Sequence, residues 1–264
     1  MPVVTGLAVT AVKATRLRQV DSVELGPHGV RENRRFYLID DRNQLVNSKR
    51  RGELQQVIAD YSEADRRLRL EFPDGHVIDD EVRLGDQVIT KFFAQLATGH
   101  LVNGPWSAAL SDFSGQDLRL VEAGDTAVDR GTEGAVSLIS RASLERLGDA
   151  RDGDSREIDV RRFRMLVEID GVEAHAEDRW VGREVWLGAA KVQFGGHVGR
   201  CVITSRDPDT GAVDLPTLKM LGSYRLDLDT TEPLAFGIHG RVLKPGTVRV
   251  GDEVTPMDSV PGHE

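Results

Sequence analysis

A single cysteine, Cys201, occurs in the 264 residues. That scarcity excludes an internal disulfide and a cysteine-rich zinc site, and it fits a reducing, cytoplasmic setting. Long apolar runs are also missing: no stretch approaches the roughly 20 residues that cross a bilayer. The opening residues, Met1-Pro-Val-Val-Thr-Gly6, lack the basic and apolar regions of a signal peptide, so no membrane association is expected. Positive charge is in deficit, with a formal net charge of −9. A general nucleic-acid binder, whose footprint is basic, is therefore not expected. A small anion held by a few convergent arginines remains compatible with that charge. Aromatic residues make up only 5%, and Trp106, Trp180 and Trp186 read as fillers of the core or of barrel ends. No Walker loop, no G-x-G-x-x-G after a strand and no G-x-S-x-G elbow is present.

Strand signals dominate what remains. The segments Val82–Val88, Val185–Val192 and Val248–Val254 each read as strand, tight turn, strand, with Gly at the turn and alternation on either side. Leu68, Leu70 and Phe72 alternate before Pro73-Asp74-Gly75, and the run from Phe236 to Leu243 precedes Lys244-Pro245-Gly246. Residues 201–205 read in the same way, as a strand before the turn Asp207-Pro-Asp-Thr-Gly211. Helical signals are fewer. Leu54, Val57, Ile58 and Tyr61 have helical spacing, though Arg51-Gly52 limits its length. Pro105 with residues 106–113 predicts a short helix. Ser143 to Gly148 predicts another, with Ser143 and Gly148 as its caps. Gly148 to Ser155 is polar enough for a mobile loop. The expected fold is mainly β (α+β), with the best division near Thr98 to Gly104.

Cys201 is the first candidate for chemistry. A lone cysteine is often just a small buried hydrophobe. Here Arg200 is adjacent, His197 lies four residues back, and Gly195, Gly196 and Gly199 loosen the approach. Nearby positive charge favours thiolate, the form that attacks electrophiles and binds soft metals. Arg34-Arg35 precedes the apolar run Phe36–Ile39, residues 161–164 precede another, and Lys13 follows the β-prone run Leu7–Val12. Cations at strand ends can converge at a barrel mouth as a phosphate site, or simply be solvated. His175 with Glu173, Glu177 and Asp178 reads as a wet loop rather than a metal site, and Asp207 and Asp209 as turn formers.

Read together, Phe163-Arg164, Ala176–Trp180, Arg200-Cys201 through Asp207-Pro-Asp-Thr-Gly211, Leu218–Arg225, Phe236-Gly237 and Lys244–Asp252 resemble MOSC domains. Leu7–Lys13 and Gly29–Asp41 resemble the associated N-terminal β-barrel module. The resemblance implies residues 1–98 as that module, packed on a MOSC β-barrel at 99–264 with a few short helices. It further implies a molybdenum–pterin cofactor (Mo-molybdopterin), with Cys201 as the metal ligand. Lys13, Arg35, Arg164 and Arg200 would hold the pterin and its phosphate, and Thr132, Glu133 and Gly134 would line it. The implied activity is reduction of small N-hydroxylated, N-oxide or S-oxide substrates, with electrons from a separate ferredoxin- or flavin-type donor. Arg200 and His239 would join Cys201 as catalytic groups. The wider superfamily also brings associations with pyridoxal phosphate and sulfur transfer, and the alternative is a carrier holding a persulfide on Cys201 without metal. A third possibility is a scaffold in which Cys201 is core. The sequence departs from the family pattern at Ala14, where a serine is usual. It departs again at Met165-Leu166, in place of Pro-Asn, and at His239, in place of a tyrosine.

Overall fold

The computed structural model describes residues 1–92, 95–124, 131–151 and 157–257. Its largest sheet has eight strands. In spatial order they are Val254–Pro256, Glu184–Leu187, Ala190–His197, Ile238–Lys244, Val136–Ser140, Val167–Asp170, Val3–Val9 and Arg18–Gln19. Neighbours are antiparallel except Val136–Ser140 with Val167–Asp170. The sheet also closes on itself. Val4 N donates to Asp252 O and Val254 N to Pro2 O, both at 2.9 Å, and Val3 bridges Glu253. Closure removes the exposed edges that an open sheet would present. Alternating apolar side chains then fill the barrel, with Leu7, Leu187, Val192, Phe194 and Ile238 fully buried. Each such side chain contributes about 1.5–3 kcal/mol relative to exposure.

A second, five-stranded sheet runs Arg83–Phe92, Gln95–Asn103, Arg119–Ala123, Phe36–Ile39, Leu45–Val46. It too is drawn toward closure, because Lys91 N donates to Asn43 O at 2.9 Å and Lys91 bridges Gln44. Phe36–Ile39 is buried on both faces. Phe36 and Leu38 pack with Trp106 and with a three-stranded sheet over residues 58–81, while Tyr37 and Ile39 pack with Val88 and Val121. The fold is mainly β, with three α-helices among the described residues: Trp106–Ser114, Arg141–Asp149 and Thr217–Gly222.

Several expectations hold and several are corrected. Val185–Val192 is a hairpin, with Gly188 at φ 53° in the turn. Leu68, Leu70 and Phe72 face inward before the Pro73-Asp74-Gly75 turn. Val82–Val88 is not a hairpin: Arg83–Phe92 is one strand, and Gly85 falls at a register irregularity opposite Asn103. Val248–Val254 does turn, but its two strands pair elsewhere, with Ser22–Gly26 and with Glu184–Leu187. The strand expected at 201–205 is a 3-10 turn, Val202–Ser205. The spacing of Leu54 to Tyr61 is split between a 3-10 turn, Gly52–Gln56, and a strand, Ile58–Ser62. The helix read from Ser143 begins one turn earlier, capped by Ser140, whose hydroxyl accepts from Ser143 N at 3.2 Å. Gly148 lies inside that helix, and the C-cap is Ala150. Residues 152–155 of the loop expected to be mobile lie outside the described residues.

The boundary expected between residues 98 and 99 falls within the strand Gln95–Asn103. The buried cores divide the chain in an interleaved way. Val4, Leu7, Val9, Val23, Leu25 and Val30 belong to the closed barrel, whereas Ala11–Ala14 and residues 36–120 build the second core. The chain thus crosses between the cores near residues 10–15 and again near 30–36. Those crossings carry Lys13, Ala14 and Arg34.

Candidate functional site

Cys201 is exposed and borders a cavity of about 210 Å³. Its backbone is held from behind. Cys201 O accepts from Thr204 N at 3.1 Å and Thr204 Oγ1 at 3.0 Å, and the Thr204, Thr217 and Ser205 hydroxyls are linked at 2.7 and 2.8 Å. Four cations share the cavity with the thiol: Lys13, Arg34, Lys49 and Arg164. Among the described residues no carboxylate lines it, in a chain whose net charge is −9. Asn47 and Ser48 add neutral hydrogen-bonding groups. Four cations on one wall suit the cavity to an anionic ligand.

The backbone at this cavity is strained. Of seven non-glycine residues with positive φ among the described residues, three line it: Ala14 at 85°, Arg34 at 55° and Arg164 at 54°. Each costs on the order of 1–2 kcal/mol, so the surroundings must impose it. They do so by crossed ties. Lys13 N donates to Phe36 O at 2.7 Å and Arg34 N to Thr10 O at 2.6 Å. Arg34 Nη2 donates to Arg164 O, and Arg164 Nη2 to Thr15 O, both at 2.7 Å. The two guanidiniums are therefore fixed before any ligand arrives, which lowers the entropic cost of binding one.

The turn at 207–211 braces the same region. Burial opposes ionisation of Asp207. Bonds from Thr210 N, Thr210 Oγ1 and Asp209 N at 2.7, 2.8 and 3.1 Å nonetheless hold its carboxyl below the usual range. Arg161 forks onto Asp209 at 2.8 and 2.9 Å and, with burial opposing, lowers that carboxyl as well. Arg16 Nη2 donates to Asp209 O at 2.8 Å, and Gln56 Nε2 to Thr210 O at 3.2 Å. Gly211, at φ 75°, meets the Gly52 backbone with no room for a Cβ on either residue. Asp207 and Asp209 are turn formers, as expected, and the turn also clamps the Cys201 loop to the second core.

The remaining candidates sit elsewhere. Arg35 does not line the Cys201 cavity; its Nη2 pairs with Glu122 at 2.6 Å and its Nη1 donates to Gly124 O at 3.0 Å. Arg200 is buried, and its guanidinium grips the Phe236 and Phe163 carbonyls and the Met165 sulfur over the Phe163 ring. Thr132, Glu133 and Gly134 form a 3-10 turn against the strand Ile238–Lys244, where Glu133 O meets His239 Nδ1 at 2.8 Å. Thus the structure gathers Lys13, Arg164 and Cys201. It places Arg35, Arg200, His239 and the 132–134 turn outside that cavity's lining. Arg34, Lys49, Asn47 and Ser48 were missed. Arg34 was visible as half of an Arg-Arg pair, but only its left-handed backbone shows which arginine turns to the thiol. Lys49 belongs to the polar loop after Leu45–Val46, where functional groups often sit.

The segment around His175 is corrected from a wet loop to a buried network. Glu177 is fully buried and accepts from Ser140 N, Ser140 Oγ and Ser143 Oγ at 3.1, 2.9 and 2.7 Å. Burial pushes its carboxyl above the usual range, against those hydrogen bonds. Burial, with the nearby Arg225, pushes His175 down to about 4. Asp178 pairs with Arg225 at 2.8 Å and faces His197 at 3.6 Å. No group of three or more His, Cys, Asp or Glu among the described residues is arranged to hold a metal ion. No helix among them is long and apolar enough to cross a membrane.

The family model for the MOSC domain matches residues 123–255. Mitochondrial amidoxime reducing component 2 of Rattus norvegicus is 36% identical over 129 residues, 46% of this chain and 36% of that protein. Mitochondrial amidoxime-reducing component 1 of Mus musculus is 37% identical over 124 residues, 44% of this chain and 35% of that protein. The matched stretch is thus about a third of the length of these relatives. The solved YuaD protein of Bacillus subtilis covers 97% of this chain at 12% identity with a TM-score of 0.44, a loose likeness. None of these likenesses supports the pyridoxal phosphate or sulfur-transfer associations.

Proposed function

The chain belongs to the MOSC domain family, and from that premise we propose that it binds a molybdenum–pterin cofactor and works as an oxidoreductase on small N-hydroxylated or N-/S-oxide compounds. The observation that carries this reading is one cavity holding the chain's single exposed thiol with Lys13, Arg34, Lys49 and Arg164. The donor set fits such a group. One soft thiolate cannot by itself hold a bare ion, and no further metal-ligating cluster is present among the described residues. A metal that arrives with its own sulfur ligands and an anionic tail needs what this cavity offers, a cysteine sulfur and cations.

In this reading Cys201 Sγ supplies the protein's ligand to the metal, and the cofactor, when bound, supplies two-electron redox chemistry there. Lys13, Arg34, Lys49 and Arg164 hold the phosphate, with the arginines offering forked donors in fixed directions. Asn47 and Ser48 satisfy neutral polar atoms of the ligand. Arg200 acts as a positioning residue, since its grip on Phe163 O and Phe236 O sets the loop that carries Cys201. His239 and the 132–134 turn form a polar patch suited to substrate contact. Electrons come from a separate ferredoxin- or flavin-type donor. The exposed free thiol suits a reducing compartment.

The test is metal analysis of the protein made in a host that synthesises the cofactor, with Cys201→Ser alongside. Stoichiometric molybdenum in the parent and its loss in the variant, with circular dichroism unchanged, is the expected result. Absence of molybdenum together with a one-sulfur mass gain on Cys201 would replace the oxidoreductase with a persulfide carrier.

A further inference from the structure

The stretch that delivers Cys201 is laddered onto a second stretch, residues 233–237. Val198 N donates to Gly237 O at 2.9 Å, Phe236 N to Val198 O at 3.0 Å and Arg200 N to Pro233 O at 3.0 Å. Residues 233–237 therefore set where residues 198–201 lie. They are not regular strand: Leu234 sits at φ 47° and Gly237 at φ 77°. Such a path has to be imposed by ties from outside. Two buried arginines supply them. Arg200 Nε donates to Phe236 O at 2.8 Å, and Arg225 Nε donates to Ala235 O at 3.1 Å.

Arg225 is itself fixed from two sides. Its N–H donates to Leu221 O at 2.9 Å, at the end of the helix Thr217–Gly222. That helix is bonded through Thr217 Oγ1 to Thr204 Oγ1, behind Cys201. Its Nη1 pairs at 2.8 Å with Asp178 Oδ2, in the 3-10 turn Ala176–Trp180. Asp178 Oδ1 faces His197 Nε2 at 3.6 Å, four residues before Cys201. Only 5% of the Arg225 side chain is exposed. A buried ion pair is weak evidence for stability, because apolar side chains of similar volume often serve as well. This one also leaves Arg225 Nη2, Asp178 Oδ1 and His197 Nε2 without a hydrogen-bond partner among the described residues. What it secures is direction, a planar fork spanning the Ala235 carbonyl and the 176–180 turn.

We propose that Arg225 is a positioning residue for Cys201: through Ala235 O and the ladder it holds the thiol beside the cationic wall of its cavity. Arg225 is not among the residues lining that cavity, so it acts through the backbone alone. The assignment rests on the Cys201 reading only for the use to which the thiol is put.

Alkylation of the full chain, made in a host without the cofactor, tests it. Iodoacetate and iodoacetamide each form an S–C bond to Cys201 and release iodide, and no other cysteine competes. The anionic reagent is drawn by Lys13, Arg34, Lys49 and Arg164, while the thiol's own reactivity cancels in the ratio of the two rates. That ratio should exceed the one for N-acetylcysteine and shrink toward it in high salt. Arg225→Gln should lower it several-fold. Arg225→Lys, the milder change, keeps a charge for Asp178 but loses the fork to Ala235 O, and should lower it too. Glu177→Ala disturbs the same 3-10 turn without touching Arg225, so it should cost stability and leave the ratio at the parent value. A parent ratio no higher than that of N-acetylcysteine, a parent-like ratio in folded Arg225→Lys, or an equal fall in Glu177→Ala would overturn the proposal. No metal enters this measurement, so its failure and failure of the molybdenum test are distinguishable.

Discussion

Two polar clusters in this molecule use the same residue types for opposite ends. Around Cys201, four cations face a cavity with no carboxylate among its described lining residues, on a backbone bent into left-handed conformations. Around Glu177, carboxylate, histidine and arginine are turned inward. Ser140 and Ser143 saturate the glutamate, and Asp178 is shared by Arg225 and His197. The first cluster gathers charge of one sign along an open cavity; the second sets carboxylates against buried donors and cations. Mutation should therefore separate them: one set changes stability and spares binding, the other does the reverse.

The largest effect is expected at Glu177. Glu177→Ala leaves the buried Ser140 N–H without an acceptor and opens a void, lowering unfolding free energy by about 3 kcal/mol in denaturant titration. Pyrophosphate affinity, the probe for the Cys201 cavity, should not change in the folded variant. Next is His175. Its folded value of about 4 lies below the ordinary 6.5, so the neutral ring is favoured in the fold. Its contribution to stability is present above pH 6.5 and is lost as pH falls from there through 4. His175→Gln should flatten the stability–pH curve in that window by on the order of 2 kcal/mol, allowing for partial exposure. Glu177 runs the other way: its raised carboxyl favours folding at low pH and loses that contribution as pH climbs past the ordinary carboxylate range.

Smaller effects belong to the cationic cluster. Arg34→Gln should weaken pyrophosphate about tenfold in calorimetry while stability falls by about 1 kcal/mol, for the bond to Arg164 O. Lys49→Gln should weaken it only a few-fold and leave stability within about 0.5 kcal/mol, since Lys49 is exposed. A large stability loss at Arg34, or a binding loss at Glu177, would break the division between the clusters.

The sequence made the strands legible wherever alternation coincided with one buried face, as at Leu68, Leu70 and Phe72. It misled where the glycine-aspartate signature had two structural uses. At Gly188 that signature makes a turn; at Gly85 it makes an irregularity inside a continuous strand. Local residue types do not distinguish these, because pairing with Asn103 decides. Lys13, Arg164 and Cys201 were readable as a set through the family resemblance, and the structure brings them together. Arg34 and Lys49 were not. Their roles depend on a positive φ and on a loop folded across from the second core, both properties of tertiary context. The density of acids and histidine near residue 175 looked solvated for the same reason. The serines that bury Glu177 lie more than thirty residues earlier in the chain.

The interleaving of the cores also has a consequence for how the protein is made. Val3–Val9 is synthesised well before its partners Val167–Asp170 and the closing segment near Glu253. At about 5–20 residues per second, that strand waits on the order of ten seconds or more for its neighbours. Until then Leu7 and Val9 are exposed apolar groups on an unpaired edge, and the crossing at residues 10–15 that presents Lys13 has no fixed end. The thiol's cationic surroundings are therefore completed only after Cys201 and the strands that follow it have been made, so any cofactor must be acquired after that point.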